Sequence, residues 1–131
     1  MEDVRKAAEG VKGRETAWRL SWLLLRAASA IRTLFSAKTP PPVESITSLE
    51  AFLADLGVEA MLYAKRGVID EREAREFLEV LFSSELTSYL GECKRGACKP
   101  VRVYEMGLRL WTLGVALQVG GREPPRACIP G

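Results

Sequence analysis

The chain has no histidine and no asparagine, and its one glutamine is Gln118. Without histidine, the side chain that titrates nearest neutral pH and the commonest metal ligand are both missing, which excludes most familiar hydrolase and metalloenzyme arrangements. Few thermolabile amides, with 13 arginines against 6 lysines, point to a thermophilic source. Long apolar runs are also lacking: the stretch from Leu20 to Leu25 ends at Arg19 and Arg26, far short of the roughly 20 residues that cross a bilayer. No transmembrane span is expected, and no membrane is among the expected partners. Met1-Glu2-Asp3 carries acids where a secretory signal carries bases, so an unprocessed, intracellular, cytoplasmic chain is expected. No phosphate-cradling P-loop, dinucleotide fingerprint or nucleophile elbow occurs, and no cofactor or enzymatic activity is expected.

What is present is 131 residues of near-average composition, 47% hydrophobic and 27% charged. That suffices for one domain whose core needs no metal or disulfide to stand. Good helix formers dominate residues 3–37, with Gly10 and Gly13 as weak points, so one long first helix is expected. Trp18, Trp22, Leu25 and Ser29, with Leu24, Ala28, Ile31, Leu34 and Phe35 beside them, give it an apolar face that places both tryptophans in the core. Pro40, Pro41 and Pro42 break the chain. A capping pattern at Thr47 and Glu50 starts a second helix, with a kink or junction at Gly57 and an end at Gly67. Asp70 and Glu73 cap a third helix built on Ala74, Phe77, Leu78, Leu81 and Phe82, and a short turn through Leu86, Tyr89 and Leu90 stops at Gly91. The last helix spans about Val101 to Val119, with Met106, Leu110, Leu113, Gly114 and Leu117 inward. With no alternating pattern long enough for a sheet, the fold class is an all-α, single-domain bundle of about five helices. The domain covers residues 1–121, and 122–131 form an extended or disordered tail.

The net charge of +2 conceals segregation: residues 1–39 carry +4, 40–92 carry −7 and 93–131 carry +5. Arg5, Lys12, Arg19 and Arg26 recur every seven residues and form one stripe along the first helix. Lys94, Arg95, Lys99 and Arg102 gather in and beside a glycine- and proline-containing loop. Cations in such rows neutralise successive phosphates, so these eight are the candidate nucleic-acid contacts; ion pairing with the acidic middle is the alternative. Cys93 and Cys98 bracket the loop. A zinc or iron–sulfur site would need a borrowed ligand, a disulfide would stiffen the loop, and free thiols are the third possibility. No metal site is expected. Glu71, Glu73, Glu76 and Glu79 line a helix face with Arg72 and Arg75, which suits surface ion pairs better than an acid–base pair.

Residues 57–66, Gly-Val-Glu-Ala-Met-Leu-Tyr-Ala-Lys-Arg, followed by Ala74 to Leu81, resemble a stretch of the small helical subunit of type III-B CRISPR RNA-guided effector complexes. Glu105, Leu108, Leu110 and Trp111 are similar to that family's last helix, and the resemblance covers residues 47–117. The small subunit of type I-A complexes looks similar. The Pro40–Pro42 break and the Cys93–Cys98 loop depart from the family pattern. The resemblance implies a non-catalytic antiviral-defence subunit of a ribonucleoprotein complex. Such a subunit packs copy against copy into a filament beside other effector subunits and holds target RNA or another single-stranded nucleic acid. The alternatives are a helical adaptor or homo-oligomer without nucleic acid, with Trp18, Trp22 or Trp111 at its interface, and a peripheral protein whose first helix lies on anionic lipid.

Overall fold

The computed structural model describes residues 2–118, with side chains from residue 15 onward. Five helices follow in order: α1 Glu2–Leu34, α2 Val43–Lys65, α3 Glu71–Leu81, α4 Ser84–Lys94 and α5 Pro100–Gln118. Among the described residues there is no strand, and no helix is long and apolar enough to cross a membrane. The architecture is an all-α bundle with one long N-terminal helix. Residues 119–131, which include the expected tail, lie outside the described residues.

Helix α1 runs unbroken through Gly10 and Gly13 for 33 residues, about 50 Å at 1.5 Å per residue. Its inward stripe is Leu20, Leu23, Leu24, Ala27, Ala28, Ile31 and Phe35, recurring at helical spacing. Trp18 and Trp22, expected in the core, are instead 52% and 56% exposed. The reason lies in two small polar residues that are each only 1% exposed, Thr16 and Ser21. Thr16 Oγ1 accepts from the Asp70 backbone N–H at 2.9 Å, and Ser21 Oγ donates to the Gly114 carbonyl at 2.7 Å. Both bonds fix which side of α1 faces inward, and the indoles fall on the other side.

Helix α5 lies antiparallel along α1 and makes its most extensive packing there. Two glycines seven residues apart allow the approach. A Cβ on Gly107 would come within 2.9 Å of Arg32 Cγ and 3.0 Å of Ile31 Cγ2, and one on Gly114 within 2.9 Å of Leu25 Cδ2. Val103, Met106 and Leu110 are buried beside them, whereas Leu113, expected inward, is exposed because it sits on the far flank of α5.

Helix α2 starts one turn earlier than the Thr47–Glu50 pattern suggests. Pro42, with φ −60° and ψ 151°, is its N-cap, and the Pro42 carbonyl accepts from Ser45 and Ile46. The additional turn buries Ile46 with Leu49, Leu53, Leu56 and Ala60. Gly57 is neither kink nor junction: α2 passes straight through it, and its missing side chain makes room for Leu78 and Phe82, 3.0 Å from where a Cβ would stand. At the C-terminus, Gly67 adopts φ +76° while Gly67 N–H donates to Ala64 O and Val68 N–H to Tyr63 O, the paired bonds of a Schellman stop.

Asp70 caps α3 by accepting from the Arg72 N–H at 2.8 Å. Ser83 caps α4 from the Leu86 N–H at 3.2 Å, a signal the sequence patterns did not register. Helix α4 continues past Gly91 to Lys94, since Gly91 has no positive φ and the chain reverses at Gly96 instead, with φ +88°.

Candidate nucleic-acid interface

The structure divides the candidate cations into two groups. Arg19 and Arg26 lie one above the other on the flank of α1 that meets α2. Arg19 Nε donates to Glu15 at 2.9 Å, with its guanidinium carbon 5.3 Å from the Tyr63 ring centroid. The hydrogen bond to Glu15 raises the Arg19 pKa above the ordinary arginine value, so its charge is permanent. Arg26 Nη1 donates to Glu59 at 3.1 Å, and its guanidinium lies 5.8 Å from the Phe52 ring centroid. Tyr63 Oη donates to the other Glu59 oxygen at 2.9 Å, so one carboxylate of α2 ties the two arginines into a single seam. The side chains of Arg5 and Lys12 lie outside the described ones, although both residues belong to α1.

Lys94, Arg95, Lys99 and Arg102 form the second group, at the α4–α5 loop. By the antiparallel register they lie about 15–30 Å from Arg19 and Arg26 along the bundle. A Cys93–Cys98 disulfide closes the loop, with Cys93 buried in the core. Lys94 Nζ meets Glu50 of α2 at 2.8 Å, and Arg102 Nη1 meets Glu105 at 3.5 Å. Arg95 and Lys99 are exposed, and among the described residues neither forms an ion pair. Exposed pairs of this kind contribute at most about 1 kcal/mol each, so a phosphate can compete for the cations.

Three features at this surface were not picked out from the sequence as ligand contacts. Arg32 is layered between two α5 rings, 5.6 Å from the Tyr104 centroid and 5.3 Å from that of Trp111, with Nη2 donating to Tyr104 Oη at 3.4 Å. Its Nε is buried without a hydrogen-bond partner. Trp18 and Trp22 stand parallel, with planes 10° apart and centroids separated by 6.4 Å. A groove of about 600 Å³ lies between α1 and α2, lined by Arg26, Ser29, Ala30, Thr33, Leu34 and Phe52.

On α3, Arg72 pairs with Glu76 at 3.8 Å. Glu73 is pushed above the usual carboxylate range by burial and then by the neighbouring charges of Asp70 and Glu76. Among the described residues no three His, Cys, Asp or Glu side chains converge as metal ligands. Comparisons with known protein families, with curated proteins and with solved structures find no match to this chain.

Proposed function

We propose that the chain is a non-catalytic structural subunit of an RNA-guided ribonucleoprotein effector, touching RNA through the α4–α5 loop and packing copy against copy. The observation that carries this reading is the loop itself. Four cations, Lys94, Arg95, Lys99 and Arg102, are gathered around one turn that a disulfide closes, with Arg95 and Lys99 exposed. Holding them there before contact lowers the ordering cost of meeting a phosphate backbone. Packing between copies draws support from charge. Residues 40–92, which include α2, α3 and most of α4, carry −7, whereas residues 1–39 and 93–131 carry +4 and +5. Val58, Met61, Leu62 and Phe82, within that acidic segment, are exposed and offer apolar area for such a contact. Segments of opposite sign in one chain favour a head-to-tail contact between copies, which builds an open array.

A tagged chain purified gently from its native host tests this, with co-eluting proteins identified by mass spectrometry and bound RNA sequenced. Recovery of effector subunits with a short guide RNA supports the proposal, and recovery alone or with unrelated proteins overturns it. In the assembled complex, reversing Lys94, Arg95 and Lys99 to glutamate lowers RNA affinity and flattens its salt dependence.

A protein-only adaptor is the second reading. It is favoured by the in-chain neutralisation of Arg26 by Glu59 and of Lys94 by Glu50. A mass that rises with concentration in light scattering, from a sample whose absorbance shows no nucleic acid, would select it.

A further inference from the structure

The outer face of α1 combines features that the α4–α5 loop does not have. Trp18, Trp22, Arg26, Ser29 and Thr33 follow at spacings of three and four and so share one side of the helix. Its first part is the pair of parallel indoles, each more than half exposed, and its second is the groove floored by Ala30, Leu34 and Phe52. Exposed tryptophans rarely go unused on a protein surface, because each leaves a large apolar area in water.

Charge chooses the occupant. From Trp18 to Leu34 the helix carries three arginines, Arg19, Arg26 and Arg32, and no acid. The ion pairs made by Arg19 and Arg26 engage Nε of the first and Nη1 of the second, so each guanidinium keeps further N–H groups for an anion. An apolar protein partner would cover these guanidiniums without supplying counter-charge, whereas a polyanion supplies one at each step. Flat aromatic faces alternating with arginines are what a single-stranded nucleic acid requires, since bases stack on the rings and phosphates meet the guanidiniums, independently of sequence.

We propose that Trp18 and Trp22 form a base-stacking platform for single-stranded nucleic acid, with Arg19 and Arg26 contacting the backbone and the adjoining groove receiving the next base. The platform rests on the reading of the chain as a nucleic-acid-contacting subunit, and it lies at a different place from the basic loop. Because Trp18 and Trp22 are so exposed, replacing them leaves the core intact.

The full chain is titrated against a fluorescein-labelled oligouridylate of about 12 nucleotides at several salt concentrations, with indole fluorescence recorded in parallel. Binding is expected to quench the tryptophans. The Trp18→Ala, Trp22→Ala double variant is expected to lose affinity about ten-fold or more, with the salt slope unchanged, because stacking releases no counterions. Reversal of Lys94, Arg95 and Lys99 is expected to reduce the slope while leaving the quenching signal of bound protein in place. Unchanged affinity in the tryptophan variant, with a large loss in the loop variant, overturns the platform and leaves the proposed function standing. No binding by any form of the chain overturns the platform together with direct RNA contact. Normal binding by the tryptophan variant with a reduced oligomeric mass overturns it in favour of a protein contact.

Discussion

Replacing Thr16 by valine tests why α1 faces the way it does. The substitution keeps the shape of a side chain that is 1% exposed and removes the oxygen that accepts from the Asp70 N–H at 2.9 Å. A buried donor left without a partner costs about 1–3 kcal/mol. The methyl that replaces the hydroxyl returns up to about 0.8 kcal/mol of burial, and threonine and valine have nearly equal helix propensity. The net loss is about 1 kcal/mol, and in a domain of this size that lowers Tm by about 3–4 °C. Differential scanning calorimetry resolves such a shift. Amide hydrogen exchange provides the local readout, since the Asp70 N–H should lose protection ahead of the α3 interior. A valine variant as stable as the parent, with Asp70 still protected, would refute the claim that this bond orients the helix.

Other outcomes follow from the same packing. Gly107→Ala gains up to about 1 kcal/mol of helix propensity but drives a Cβ to within 3.0 Å of the stiff Ile31 side chain, so urea unfolding should show a net loss of about 1 kcal/mol. Reducing the Cys93–Cys98 disulfide opens a short loop at a sequence separation of 5, and loop entropy sets the cost near 2 kcal/mol, measurable as a lower urea midpoint in phosphine. Glu73 has a folded-state pKa raised above its unfolded value, so its ionisation subtracts stability as pH rises through that window. Glu73→Gln should therefore improve Tm relative to the parent at pH 7 and lose that advantage at about pH 3, below the ordinary glutamate pKa, where the carboxyl is protonated in both the folded and the unfolded chain; an advantage that does not change with pH would contradict this.

The helices were legible because their punctuation is local. The Pro40–Pro42 run, Gly67, and Asp70 ahead of an apolar repeat each act within a turn of where they stand. The orientation of α1 was not legible, because large apolar residues occur on both of its sides. The choice is made by Thr16 and Ser21, whose partners lie 54 and 93 residues away. The candidate cations were legible as a charge pattern, but their occupancy was not. Glu59 and Glu50 reach Arg26 and Lys94 across 33 and 44 residues. Arg32 escaped notice because it stands one residue outside the seven-residue stripe. Its signal was in α5, where Tyr104 and Trp111 are themselves seven apart and so share one flank of the helix.

The pairing of α1 with α5 also sets a timetable for synthesis. Gly114 emerges from the ribosome 93 residues after Ser21, so at about 5–20 residues per second the first helix waits roughly 5–20 s for the partner that completes its cover. Through that interval Leu24, Ala28 and Ile31 lack the glycine-lined surface of α5, and α2 and α3 alone can shield them. The nascent chain is then most exposed to aggregation or to chaperone capture, and a change that slows translation between the two helices would lower yield without altering the finished protein.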